Sequence, residues 1–172
     1  MQNSMIESLK LEVRPALAEE KSILGNLLEL YVHDFSEFVD VSLGVDGRFG
    51  YQHLDSYWED PDRYPFLILS DGKLAGFALV RKGSAISNES DVWDMAEFFI
   101  VRGLRRLGLG TRASREIWTS FPGKWQVRVI DVNQKALKFW ARAIHEFLGE
   151  SVAPVAFEQG GLDRHVFCFD SA

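Results

Sequence analysis

The stretch Val101-Arg-Gly-Leu-Arg105-Arg106-Leu107-Gly108-Leu109-Gly110-Thr111 carries the residue types that an anion-binding turn needs. It leads from an apolar run into a helical pattern. Its glycines remove side chains so that backbone N–H groups can approach a charged ligand. The helix that follows offers its positive end, and Arg105 and Arg106 stand beside it. The chemistry expected of these residues is the holding of a phosphate.

Two better-known phosphate motifs fit less well. Gly108, Gly110 and Ala113, with Asp131 further on, spell a Gly-x-Gly-x-x-Ala string of the dinucleotide-binding kind. In that motif, however, the first glycine follows the strand directly, whereas Arg102 to Leu107 intervene here. Too little chain follows Gly108 for two mononucleotide halves. A P-loop is excluded because no Gly-Lys-Ser/Thr follows the glycines.

The elements that must position this turn are legible from periodicity. Leu11 to Arg14 before Pro15 predicts a short strand, and Ile23, Leu24, Leu27, Leu28 and Tyr31 predict a helix over Glu19 to His33. A short helix around Tyr51 to Trp58 lies within a mixed segment, residues 34 to 63, expected to form a lid or substrate loop. Tyr64 to Ser70, Asp71-Gly72 and Lys73 to Arg81 read as a hairpin, and Val92 to Val101 as a further strand. A helix over Leu109 to Phe121, a strand over Lys124 to Ile130 and a helix over Asn133 to Leu148 follow. Val152 to Phe157 and His165 to Phe169 close the chain as a hairpin across Gln159-Gly160-Gly161.

The 172 residues fit one domain, 1–172, and 47% hydrophobic with 13% aromatic residues can bury a sizeable core. The opening ten residues lack a signal-peptide apolar region, and no run approaches the roughly 20 apolar residues of a membrane span. A soluble, cytoplasmic protein is expected. The single cysteine, Cys168, is read as a buried strand filler. The four histidines show no ligand spacing, so no metal is expected.

Net charge is −6, but the signs are segregated. Between Glu19 and Arg63 acids dominate, with Lys21, Arg48 and Arg63 the only bases; between Arg102 and Arg142 the only acids are Glu116 and Asp131. An anion-binding half and a cation-tolerant half would look like this. The acidic pI near 5.2 argues against nucleic acid as partner for the basic stripe.

Strand, Arg105-x-x-Gly108-x-Gly110, helix, strand, Asn133-Gln-Lys-Ala136-Leu-Lys-Phe139-Trp140 helix and closing hairpin together resemble the GNAT superfamily of N-acetyltransferases over most of the chain. Asp46 to Tyr51, Gly76 to Val80, Asp94 to Phe99 and Phe121 to Trp125 further resemble a bacterial branch of predicted acetyltransferases that has no agreed substrate. The resemblance implies an α/β (α+β) fold: a mixed, mostly antiparallel sheet of about seven strands flanked by about four helices, splayed after the fourth strand. It implies acetyl-CoA as cosubstrate, its pyrophosphate held by backbone N–H groups from Arg106 to Thr111, through Leu107, Gly108, Leu109 and Gly110. The backbone of Phe99, Ile100 and Val101 would pair with the pantetheine arm, which Asn133, Ala136, Phe139 and Trp140 would border. Asn133 is also a good N-cap.

Transfer to an amine needs a base, because an alkyl ammonium has a pKa near about 10. Asp94 and Glu97 are the only acids on the implied splayed strand; three residues apart, they fall on opposite faces of a regular strand. Glu97, closer to the splay, is the favoured base. Many family members use a tyrosine as acid where this chain has Trp140. A thiolate, of pKa near about 8.5, is already a fair leaving group without it. The acceptor site is expected from the acidic, aromatic segment 31 to 60, with Tyr31, Asp34, Phe35 and Tyr51 foremost, joined by His33, Phe38, Phe49 and Trp58. Acids facing the cleft would favour a cationic amine, whether small molecule or peptide. The alternative is an acyl-CoA-binding sensor without turnover. A monomer or a homodimer would serve either reading.

Overall fold

The computed structural model describes residues 9–172. One seven-stranded sheet runs through them in the order β1-β2-β3-β4-β5-β7-β6, with β1 Leu11–Pro15, β2 Arg63–Ser70, β3 Lys73–Lys82, β4 Trp93–Ile100, β5 Lys124–Ile130, β6 Val155–Gln159 and β7 Leu162–Asp170. Every neighbouring pair is antiparallel except β4 with β5. The helices are α1 Lys21–Phe35, α2 Ser56–Glu59, α3 Leu109–Ser120 and α4 Gln134–Leu148. This is the mixed, mostly antiparallel architecture that the resemblance implied. Among the described residues no helix is long and apolar enough to cross a membrane.

Period-two alternation along β2 and β3 divides the core between the two faces of the sheet. Phe66, Ile68, Ala78 and Val80 turn to one face, where Ile117 and Trp118 of α3 and Trp140, Ala143 and Ile144 of α4 cover them. Leu67, Phe77 and Leu79 turn to the other, against Leu24, Leu27 and Leu28 of α1 and Tyr57 of α2. The three α1 leucines are almost fully buried, each worth roughly 1.5–3 kcal/mol relative to exposure. Between β2 and β3 the Asp71-Gly72 turn has positive φ at both residues, as a type I′ hairpin requires.

Some sequence expectations shift. The helix expected over Tyr51 to Trp58 is a single turn, Ser56–Glu59, with the chain before it irregular. The last hairpin turns tightly at Gly160-Gly161, both at positive φ, so β6 starts later than Val152 and β7 earlier than His165. Cys168 is exposed rather than buried: Phe167 and Phe169 take the core positions, and alternation turns the residue between them outward.

Candidate active site

β4 and β5 pair only at Trp93↔Trp125 and Asp94↔Gln126, then part. One edge of β4 is thereby left without a strand partner. On its other edge β4 follows β3, and Val101 donates its N–H to the Ala75 carbonyl at 2.8 Å. Antiparallel alternation then turns the N–H groups of Phe99 and Glu97 toward β3, and those of Ile100 and Phe98 into the open splay. Of the three backbone positions expected to face the splay, Ile100 does so, while Phe99 and Val101 pair inward. Arg105 Nε already occupies the Ile100 carbonyl at 2.7 Å. At the matching point of β3, a side chain on Gly76 would place its Cβ 1.9 Å from the Phe99 carbonyl oxygen, so only glycine fits there.

The chain leaves β4 through a 3-10 turn at Arg102–Leu104 and enters α3 through Gly108, in the left-handed conformation at φ 76°. Arg106, at φ 65°, is the other left-handed residue of the turn. The first backbone bond of α3 runs from Arg112 to the Gly108 carbonyl at 3.1 Å. The N–H groups preceding it, from Arg106 to Thr111, therefore converge on the helix start without a protein acceptor among the described residues. Open space lies where a Gly108 side chain would project, and a Cβ on Gly110 would sit 3.1 Å from the Phe139 ring. Such a cradle of free donors, with room in front of it, fits a pyrophosphate. Asn133 caps α4 by accepting the Ala136 N–H at 3.1 Å. Phe139 stacks on Phe98, while Trp140 is buried against Phe98 and Trp118 and belongs to the core.

The two strand carboxylates occupy one face, not two. Opposite β4, the register jumps from Leu79↔Glu97 to Val80↔Met95, so Ala96 is an extra residue, a β-bulge. The bulge restores Glu97 to the face that Asp94 occupies, the α1 side of the sheet. There the two acids differ completely. Asp94 is fully buried and accepts from Arg81 Nε at 2.8 Å and from Arg128 Nε and a terminal nitrogen at 3.2 and 2.9 Å. All its capacity is spent on two guanidinium groups, which leaves it no role as a base.

Glu97 has no such ion pair. Tyr31 of α1 donates its hydroxyl to one carboxylate oxygen, and Tyr51 donates to the other at 3.1 Å. Burial pushes the Glu97 carboxyl above its ordinary pKa, against the lowering effect of the two hydroxyl donors and of Arg128; the Asp94 charge raises it further. Burial and the Glu97 charge push both tyrosine hydroxyls up as well, so they remain donors. A desolvated carboxylate with no cation bound to it, next to the open edge of a strand, is what a general base for an amine requires.

Three acids of segment 31 to 60, Asp34, Asp55 and Asp60, stand in ion pairs. Asp34 binds Arg102 at 2.7 Å and Arg105 at 2.5 Å. Glu29 accepts from the Phe49 and Gly50 N–H groups, Lys21 pairs with Asp55, and Asp60 caps Asp62 and pairs with Arg63. Phe35 stacks on Tyr31, His33 packs on Phe49, and Trp58 donates to the Ala16 carbonyl. Sequence reading missed Arg81, Arg128 and Arg164. The alternation Trp125-Gln-Val-Arg-Val-Ile130 held the signal for Arg128: a charge at an inward strand position implies a buried partner.

The splayed mixed sheet and the helix-start cradle define an acyl-coenzyme A transferase architecture. A family model for the Acetyltransferase (GNAT) family matches residues 26–145, and the chain belongs to that family. No curated protein matches it. Among solved structures, an acetyltransferase from Thermus thermophilus superposes with a TM-score of 0.66 at 17% identity, covering 94% of this chain and 97% of that one. yncA from Salmonella typhimurium, with its cofactor acetyl-CoA, gives 0.64 at 12% identity over 94% of each chain. RimL, the ribosomal L7/L12 alpha-N-protein acetyltransferase in complex with coenzyme A, gives 0.65 at 14% identity over 93% of each.

Proposed function

We propose that this protein is an N-acetyltransferase that moves the acetyl group of acetyl-CoA directly onto a primary amine, with Glu97 as base. The observation that carries the reading is Glu97 itself: desolvated, held by Tyr31 and Tyr51, in no ion pair with the described residues and adjacent to the unpaired edge of β4. The cradle N–H groups of Arg106 to Thr111 would hold the pyrophosphate, and the edge groups of Phe98 and Ile100 the pantetheine arm.

Bound acetyl-CoA would supply an acyl carbon activated as a thioester. Glu97 takes the proton of the incoming ammonium, and its raised pKa brings it closer to that task at neutral pH. An N–H of β4 that points into the splay polarises the carbonyl as the C–N bond forms and the C–S bond breaks. The nitrogen sheds its second surplus proton as the amide forms, and the departing thiolate can take it up. Tyr31 and Tyr51 keep Glu97 oriented throughout, while the buried Trp140 contributes packing alone. The same reading implies a cytoplasmic enzyme, as a monomer or homodimer.

Release of free thiol from acetyl-CoA in the presence of an amine tests this directly. Turnover that Glu97→Gln lowers and Gly108→Glu abolishes supports the enzyme. Tight acetyl-CoA binding without thiol release for any amine would favour the sensor, with Trp140 in place of an acid as its rationale.

A further inference from the structure

We infer that the acceptor is a small amine bearing a carboxylate, such as a free amino acid, and that Arg164 binds that carboxylate; this rests on the acetyl-transfer reading of the same site. Arg164 lies on β7, directly across from Ile130 of β5 and Phe157 of β6. Cross-strand pairing puts it on the face that carries Arg128, the α1 side where Glu97 stands. The cradle for the pyrophosphate opens at the start of α3, which covers the other face. Arg164 is therefore placed for the acceptor and not for the cofactor phosphates.

The neighbouring arginines on this face are satisfied, and Arg164 is not. Arg81 and Arg128 share Asp94. Arg164 is half-buried, its side chain forms no ion pair or hydrogen bond with the described residues, and its Nε is buried without a partner. Burial and the Arg128 charge disfavour its charged form, while Glu97 and Tyr31 lie close enough to favour it. A guanidinium nevertheless stays charged in practice. A half-buried cation without a counter-ion is costly, and an anion delivered by a ligand would remove that cost. The planar fork of arginine matches a carboxylate with two parallel hydrogen bonds.

Charge at the site points away from a purely cationic amine. Of the acids of segment 31 to 60 that suggested one, Asp34, Asp55 and Asp60 are engaged in local pairs with Arg102, Arg105, Lys21 and Arg63. An unpaired arginine beside the base would repel a second positive charge and welcome a negative one. An acceptor with an ammonium at Glu97 and a carboxylate at Arg164 presents opposite charges to opposite charges.

The test is calorimetric binding of the L-amino acids, their primary amides and spermidine to the coenzyme A-saturated protein, with thiol release from acetyl-CoA followed in parallel. At least one amino acid should bind about tenfold or more tightly than its amide. Arg164→Gln should weaken that amino acid by about ten- to a hundredfold while leaving the affinity for coenzyme A unchanged, and Arg164→Lys should restore part of the loss. Equal binding of acid and amide, preference for spermidine, no binding of any amino acid, or indifference to Arg164→Gln overturns the inference. Carboxylate binding through Arg164 without thiol release would leave Arg164 as a carboxylate site but overturn the acceptor role together with the acetyl-transfer reading on which it rests.

Discussion

Tyr31 of α1 donates its hydroxyl to Glu97 of β4 across 66 residues of sequence, and Tyr51 from the following loop donates to the other oxygen of the same carboxylate. Two separate elements thus aim and hold one acid. Their hydroxyls favour its ionised form, and burial opposes them.

Glu97→Gln keeps a carbonyl oxygen for a tyrosine and removes the base. Its kcat should fall by about two to four orders of magnitude, the range expected for loss of a general base. Its stability should move the other way. With the folded pKa raised above the ordinary 4.5, only the unfolded chain ionises readily as pH rises past that value. The wild type then loses stability relative to the variant until Glu97 ionises in the folded state too. Chemical denaturation at pH 4 and pH 8 should show the Gln variant gaining on the wild type; an equal difference at both would contradict the desolvated assignment.

Tyr31→Phe and Tyr51→Phe each delete a donor to the charged form of Glu97, so each should raise its pKa further. In a profile of kcat/KM against pH, the acid limb of both variants should move to higher pH than that of the wild type, which itself lies above the usual carboxylate range. An unmoved limb would mean that the limb does not report Glu97.

Much of this site was legible in the sequence, but not all of it. The cradle could be read from Arg105 to Thr111 because glycine conformations and a helix start are local properties. In the sequence, Glu97 is preferred to Asp94 as base only for its nearness to the splay; the third dimension supplies the partners that separate them. Those partners lie on β3, β5, α1 and the loop before α2, and strand-to-strand register is not a local property. The acidic bias of segment 31 to 60 does not by itself define a cationic site, because composition counts charges without pairing them. Asp34 is the clearest case: it pairs with both Arg102 and Arg105.

Asp94→Asn leaves Arg81 and Arg128 around a neutral amide in a fully buried position. Removing one member of a buried ionic cluster costs about 3 to 5 kcal/mol, so the variant should unfold at much lower denaturant concentration. If it lost activity with unchanged stability, Asp94 would have to be returned to the chemistry.

Gly108→Ala tests the cradle through conformation alone, since nothing stands where the new methyl group would lie. Holding alanine at φ 76° costs roughly 1–2 kcal/mol. The turn should relax, and acetyl-CoA affinity, measured by calorimetry, should drop more than the affinity for a carboxylate acceptor. Equal affinity for acetyl-CoA would show that the phosphates are held elsewhere.

Ala96 makes no contact with the proposed chemistry, yet it decides which acids can meet. Side chains on a strand obey a parity rule: an odd separation sends two residues to opposite faces and an even one reunites them. Asp94 and Glu97 are odd by count and even by geometry, because one residue between them is skipped by the neighbouring strand. The pairing of a structural acid with a reactive acid on one surface is therefore an arithmetic property of β4. Removing a single alanine would reverse it without changing either carboxylate.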